Sequence, residues 1–118
     1  MRPVVFAALV LSLAACKSST GPVAAGHVGI ADFAFTPDTV TIAAGQAVRW
    51  TNTGPSAHTV TSDSSVFTSA QLAGPGTDPY GGMTAGAVYQ RTFPTAGTFP
   101  YHCMNHPSLM KGVVIVTP

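Results

Sequence analysis

The chain has 118 residues, a formal net charge of +1, and only 8% of residues that are Asp, Glu, Lys or Arg. This length allows one small domain, and a charge so close to zero gives no reason to expect binding to nucleic acid or strong electrostatic steering toward a partner. Neither a serine, histidine and acid set nor paired carboxylates stand out along the chain, so we expect a protein that is not an enzyme.

The start of the chain has the composition of an export signal. A short positive segment, Met1–Pro3, precedes an apolar stretch from Val4 to Leu13, which has the length of a secretory signal and is well short of the ~20 residues that a membrane span needs. The sequence Leu13-Ala14-Ala15-Cys16 resembles a bacterial lipoprotein box. This resemblance implies that residues 1–15 are removed and that Cys16 carries a lipid. The alternative is an ordinary secretory signal with a chance cysteine.

The lipid would hold the exported protein at a membrane, facing the periplasm or the cell exterior. Residues 16–26, which follow the cleavage site, are mostly polar or small and include glycine, so they predict a flexible tether. The folded domain is then expected at 27–118. With Cys16 assigned to lipid and Cys103 to metal, no disulfide is expected.

The domain has the pattern of a strand-and-turn protein. Several short strands with no helical period of useful length predict an all-β, antiparallel two-sheet sandwich. Residues 62–85 are the least regular part. The run Val28–Phe35 alternates only in part but is still predicted as a strand. The other predicted strands are Thr39–Ile42, Ala47–Thr51, Ala57–Thr61, Ala87–Phe93, Thr98–Cys103 and Val113–Thr117.

Four metal-binding side chains determine the expected chemistry. Cys103, His106 and Met110 fall within eight residues near the end of the chain, and His58 lies well upstream. Thiolate and thioether sulfur suit copper, imidazole suits both of its oxidation states, and zinc has no comparable use for a methionine. A sandwich brings its loops together at one end, so these ligands can converge. The sequence predicts a trigonal set of His58, Cys103 and His106 with a long axial bond to Met110.

Each ligand has another interpretation. Cys103 could be a buried free thiol, and His58 could be a loop histidine held by hydrogen bonds. Met104 and Met83 are alternatives to Met110, but Met104 lies too close to the cysteine to reach an axial position easily, and Met83 lies in the irregular segment.

Four segments together carry a resemblance. They are Val48-Arg49-Trp50-Thr51-Asn52, His58-Thr59-Val60-Thr61, Gly97-Thr98-Phe99-Pro100-Tyr101-His102-Cys103, and Met110-Lys111-Gly112-Val113-Val114-Ile115-Val116. In order and spacing they resemble the cupredoxin family, especially plastocyanins and amicyanins, over about Val28 to Pro118. The resemblance implies a Greek-key sandwich with one type 1 copper per chain. It also implies a monomer that carries single electrons between an exported donor and acceptor, both docking weakly near His106.

Copper storage or delivery for an exported copper enzyme is the alternative function. Such a protein usually presents exposed ligands rich in methionine and histidine, whereas this chain has four methionines, one of them Met1. The low methionine count favours the electron carrier.

The surroundings of the predicted site give three further expectations. Met104, Pro107 and Leu109 should form an apolar docking patch around the exposed edge of His106. His102 should point outward, because adjacent residues of a strand face opposite sides. It could be a surface histidine, a second electron port or a ligand of a second copper; the last would need two more histidines, and only His27, expected to be exposed, remains.

Asn105 stands where plastocyanins and amicyanins commonly have proline. Proline has no backbone N–H, so Asn105 N–H could donate a hydrogen bond to the copper-bound sulfur and raise the reduction potential. In the alternative interpretation the N–H points away from sulfur and the Asn105 side chain braces the loop.

Overall fold

The computed structural model describes residues 23–118. The predicted signal peptide at 1–15, the predicted lipid site Cys16 and the tether residues 17–22 lie outside the described residues. Within residues 23–118, no helix is long and apolar enough to cross a membrane. The strands of this part are β1 (Gly26–Ala31), β2 (Ala34–Thr36), β3 (Thr39–Ala43), β4 (Ala47–Asn52), β5 (Thr61–Ser62), β6 (Gly76–Thr77), β7 (Met83–Thr84), β8 (Val88–Thr92), β9 (Gly97–His102) and β10 (Lys111–Thr117).

The strands form two four-stranded sheets, which confirms the predicted β-sandwich. The first sheet has the order β2-β1-β4-β8, the second has the order β3-β10-β9-β5, and β6 and β7 make a separate hairpin. Burial alternates along β1, β2 and β3 as the period of two requires. In β3, for example, Val40 and Ile42 are buried while Thr39 and Thr41 are exposed.

Each sheet contains one parallel pair, which the antiparallel prediction did not include. β1 runs parallel to β4, with Val28 opposite Trp50, and β3 runs parallel to β10, with Val40 opposite Val114. The cause is that the chain changes sheet between strands. It leaves the first sheet after β2, forms β3 in the second, and returns to the first as β4.

Two predicted strands differ from the structure, and both differences bear on the site. The run from Val28 to Phe35 is split into β1 and β2 by a turn at Asp32 and Phe33, where Phe33 has a φ of 70°. The run from Ala57 to Thr61 is mostly irregular, and its His58 forms an isolated bridge with Leu72. Both differences lie at the site: the turn at Asp32 and Phe33 comes close to predicted metal ligands, and the irregular segment contains the predicted ligand His58.

The core between the sheets is centred on aromatic rings. Trp50 is fully buried and lies 5.5 Å from the Tyr101 ring at an interplanar angle of 86°, and 5.6 Å from the Tyr89 ring. Such edge-to-face pairs contribute about 0.5–1.5 kcal/mol beyond the burial of their area. This packing fixes β4 against β9, the strand that leads directly to Cys103.

Candidate metal centre

Three potential ligands converge at one end of the sandwich. The Cys103 Sγ atom lies 3.8 Å from His58 Nδ1 and 3.9 Å from His106 Nδ1, and the ligand atoms of the three residues all lie within 4.8 Å of one another. His58 and Cys103 are completely buried, whereas His106 is half-buried. Among residues 23–118 this is the only group of at least three His, Cys, Asp or Glu side chains that could hold a metal ion.

The two sulfur-to-nitrogen separations fit a trigonal metal site. With bond lengths like those of zinc, about 2.1 Å to nitrogen and about 2.3 Å to sulfur, an angle of about 120° at the metal separates the two donors by about 3.8 Å. Both observed sulfur-to-nitrogen distances agree with this separation. A buried thiolate with two imidazoles is also the donor set that suits copper.

The loop from Cys103 to Met110 is closed by its own backbone. Cys103 N–H donates to Met110 O at 3.1 Å, His106 N–H donates to Cys103 O at 3.2 Å, and Met110 N–H donates to His106 O at 3.0 Å. The strands on either side also fix the loop ends, because His102 of β9 lies opposite Lys111 of β10. Met110 is fully buried beside the cluster, while Met104 and Met83 are exposed.

The backbone of His58 is held by hydrogen bonds to the neighbouring segment around Leu72. Its backbone exchanges two hydrogen bonds with Leu72, at 3.1 and 2.8 Å. The buried Asn52 side chain holds the same two segments together. Its Nδ2 donates to Ser56 O and Leu72 O, and its Oδ1 accepts from Gly54 N–H. An irregular segment thus acquires the fixed backbone that a preformed ligand needs.

The sulfur atom receives its backbone hydrogen bond from Thr59, not from Asn105. Thr59 N–H lies 3.4 Å from Cys103 Sγ, and the Thr59 hydroxyl accepts a hydrogen bond from Met104 N–H at 2.8 Å. Among the hydrogen bonds of residues 23–118, none joins Asn105 N–H to this sulfur, so Thr59 takes the place of the predicted donor. The residue that follows His58 in sequence comes next to the thiolate because the two ligand segments lie side by side.

Asn105 instead braces the loop through its side chain, which is the alternative that the sequence left open. Its Nδ2 donates to Ala57 O at 2.9 Å and to Gln71 Oε1 at 2.9 Å, and its Oδ1 accepts from Gln71 Nε2 at 3.1 Å. These bonds join the Cys103–Met110 loop to Ala57, which precedes His58, and to Gln71, which precedes the Leu72 that pairs with His58.

Asp32 contacts the far side of His58 and was not anticipated from the sequence. Its Oδ1 atom lies 3.1 Å from His58 Nε2 and accepts a hydrogen bond from Ser56 N–H at 3.3 Å. Burial raises the pKa of the Asp32 carboxyl, but the hydrogen bonds from His58 and Ser56 outweigh burial and leave that pKa below its usual value. The broken alternation at Asp32 and Phe33 was the available signal, because a residue that leaves a strand is free to reach a site.

Exposed apolar side chains lie close to His106 along the loop. Met104 and Leu109 are 60% and 70% exposed, and Pro107 is exposed as well. Phe33, 53% exposed, adds a fourth member, with its ring 4.9 Å from the His106 ring at 89°. The sequence identified the three loop residues but not Phe33, which belongs to the turn between β1 and β2.

The other two histidines lie apart from the ligand group. His102 Nδ1 is in hydrogen-bond contact with Asp63 Oδ1 at 2.5 Å, on the partly exposed side of β9. His27 is exposed on β1. Neither belongs to the group that could hold a metal ion.

Comparisons with known proteins agree with this geometry. Residues 23–117 match the model of the plastocyanin/azurin family of copper-binding proteins. The chain is 31% identical to amicyanin-alpha of Methylorubrum extorquens over 98% of this chain and 99% of the relative. Plastocyanin of Scenedesmus fuscus is 34% identical over 70% of this chain and 85% of the relative.

Solved structures are similar as well. The crystal structure of amicyanin from Paracoccus versutus has 31% identity and a TM-score of 0.59, and the match covers 82% of this chain and 85% of that chain. A purple cupredoxin from Nitrosopumilus maritimus has a TM-score of 0.64 at 22% identity, over 78% of this chain and 99% of that chain, and so supports the fold alone. The chain belongs to the plastocyanin/azurin family of copper-binding proteins, the cupredoxins, and copper is its cofactor.

Proposed function

We propose that this chain is a monomeric, membrane-tethered blue-copper protein that passes single electrons between exported redox partners. The observation that carries the proposal is the convergence of one buried cysteine sulfur and two imidazoles in a chain of the copper-binding family. His58, Cys103 and His106 would form the trigonal ligand set, and the buried Met110 would supply the axial sulfur. When bound there, copper supplies a one-electron couple between Cu(II) and Cu(I).

The surrounding residues prepare this ligand set before metal binds. Thr59 fixes the thiolate, and the Asn105 side chain ties the loop to the backbone next to His58. A donor set held in this way changes little in position when the metal changes charge. Small movement means a low reorganisation cost, which is what electron transfer requires of the protein.

The patch of Phe33, Met104, Pro107 and Leu109 would be the docking surface. It is small, apolar and placed at the ligand His106, the half-buried member of the site. Small interfaces are typical of weak redox encounters, in which partners must separate quickly after exchange. Electrons would enter or leave through the exposed edge of His106.

Visible absorption of the copper-loaded protein tests the proposal. The mature chain carrying Cys16→Ser, which leaves Cys103 as its one thiol, should develop an intense visible thiolate-to-copper band with Cu(II) at one copper per chain. Cys103→Ser in the same background should be colourless, and His27→Ala should remain blue as a matched control. Retention of the band in the Cys103→Ser protein, or no band in the parent, would reject the proposed site.

Storage or delivery of copper is the weaker candidate, because the donors are enclosed. His58 and Cys103 are completely buried, whereas a delivery protein usually presents exposed ligands. The copper-loaded protein should therefore lose its metal slowly to a competing chelator while exchanging electrons rapidly with a small redox couple. Fast metal loss with slow electron exchange would favour delivery.

Membrane tethering is proposed from the Leu13-Ala14-Ala15-Cys16 motif. A lipidated N-terminus with two or more acyl chains gives stable attachment. In a bacterial host, Cys16→Ser should release the protein from the membrane or block its processing. The unaltered protein appearing wholly in the soluble fraction with an unmodified N-terminus would contradict the proposed anchor.

A further inference from the structure

We propose that Asp32 is a positioning residue that fixes the imidazole of His58 with Nδ1 facing the thiolate, and that it lowers the reduction potential of the bound copper. The effect on the potential rests on the proposed function; the effect on the imidazole does not. Asp32 is 26 positions away from His58 in sequence and approaches from the turn between β1 and β2, with its Oδ1 atom 3.1 Å from Nε2.

The first step of the argument concerns the tautomer of His58. An ionised carboxylate only accepts hydrogen bonds, so the Nε2 atom beside Asp32 must carry the imidazole proton. A metal binds the neutral imidazole, and with the single proton on Nε2 the lone pair is at Nδ1. That lone pair is on the side of Cys103, where Nδ1 lies 3.8 Å from Sγ. The hydrogen bond to the carboxylate thus selects the one tautomer that can bind a metal at this site.

The second step concerns the rigidity of the carboxylate. The Oδ1 atom that faces His58 also accepts the backbone N–H of Ser56 at 3.3 Å. On the same side, a Cβ atom on Gly54 would come within 2.9 Å of Asp32 N and 3.1 Å of Asp32 Oδ1, so only glycine allows this close approach. Asp32 is therefore held against the backbone of residues 54–56, in a fixed place relative to the fully buried His58.

The third step concerns the sign of the electronic effect. A carboxylate that accepts a hydrogen bond from Nε2–H makes the imidazole a stronger electron-pair donor at Nδ1. Its negative charge also favours the more highly charged metal state. Both effects stabilise Cu(II) more than Cu(I), so both lower the reduction potential.

Asp63 provides a matched control on the same protein. It also pairs with a histidine, at 2.5 Å from His102 Nδ1, and His102 directly precedes Cys103 in sequence. His102 is outside the ligand group, so the Asp63 charge does not act through a ligand. Comparing Asp32→Asn with Asp63→Asn separates the action through His58 from the general removal of one negative charge.

The closing experiment has two independent readouts on the mature protein. Nitrogen NMR of the copper-free protein should show His58 protonated at Nε2, and Asp32→Ala should lower that tautomer's population. Voltammetry of the copper-loaded proteins should show that Asp32→Asn weakens the Cu(II) state about tenfold relative to the Cu(I) state. This is the lower end of the 10–100-fold losses in metal affinity or activity that follow when the hydrogen-bond partner of a metal ligand is removed. A tenfold change in a one-electron couple is ~59 mV upward. Asp63→Asn should move the potential much less.

The outcomes distinguish the two proposals. A parent protein without the thiolate band rejects the proposed function, while the NMR result still decides the role of Asp32 in orienting His58. A blue parent in which Asp32→Asn and Asp63→Asn shift the potential equally overturns the inference about Asp32. The inference is also overturned if NMR shows His58 of the copper-free protein protonated at Nδ1. That measurement uses the parent protein and so does not depend on how any variant folds.

Discussion

The ring of Phe33 stands edge-on to the imidazole of His106, with ring centroids 4.9 Å apart and planes at 89°. The preceding residue, Asp32, contacts the other imidazole of the site, that of His58. A single turn between β1 and β2 therefore touches both histidines of the centre. Phe33 adopts a φ of 70°, which residues other than glycine rarely take, so an unfavourable backbone conformation accompanies this placement of the ring.

Replacing Phe33 tests its role in docking. Phe33→Ala removes exposed apolar area beside His106 without touching a ligand atom. The loss of about 1 kcal/mol of contact corresponds to an exchange rate with a protein redox partner about fivefold slower. Stopped-flow kinetics measures this, and the blue band should be unchanged. Phe33→Gly, which suits the positive φ, should slow exchange equally and be at least as stable as Phe33→Ala. Unaltered exchange in both variants would remove Phe33 from the docking surface.

Replacing His102 tests whether the site has one metal or two. His102→Ala breaks the contact with Asp63 but leaves the ligand group intact. The visible spectrum and a stoichiometry of one copper per chain should therefore be retained, as measured by absorption and metal analysis. His106→Ala is the contrasting variant and should abolish the normal blue band. Loss of copper from His102→Ala, or two coppers in the parent protein, would indicate a second site.

The amide pair between Gln71 and Asn105 should couple two segments of the site. Each side chain donates to the other, at 3.1 and 2.9 Å. A net hydrogen bond contributes about 0.5–1.5 kcal/mol, so Gln71→Ala should lower the free energy of unfolding by at least that amount. Asn105→Ala should lower it further, because it also removes the hydrogen bond to Ala57 O. Chemical denaturation of both variants and of the double variant should give a coupling energy of about 1 kcal/mol. Strictly additive effects would show that the pair contributes nothing as a pair.

The parts of this site that could be predicted are those formed by residues close together in the sequence. Cys103, His106 and Met110 are near one another in the chain, so their spacing alone indicated the copper loop, and alternation indicated the sandwich. Asp32 reaches His58 across 26 positions: the broken alternation marks where the chain leaves β1, but it does not encode which residue the turn approaches. Thr59 and Asn105 show a similar limit. Either could have donated to the sulfur by its chemistry, and the choice depends on how the two ligand segments lie side by side. The parallel strand pairs also depend on the path of the chain between sheets, which strand periodicity does not contain.

Gly86 should be one of the positions least tolerant of a side chain. A Cβ atom there would lie 1.6 Å from the carbonyl oxygen of Asn52, the residue that holds the two segments at His58 together. The obstacle is backbone, so the segment must move as a whole, and strain of this kind typically costs about 1–3 kcal/mol. Gly86→Ala should therefore lower the free energy of unfolding by at least that range and broaden or shift the blue band, because the support of His58 moves with Asn52. Gly29→Ala is the matched control: its Cβ would meet Thr36 O at 3.6 Å, an ordinary contact, and stability should change little. Thermal unfolding of the two variants measures the difference, and equal stability would mean that the backbone near Asn52 yields without cost.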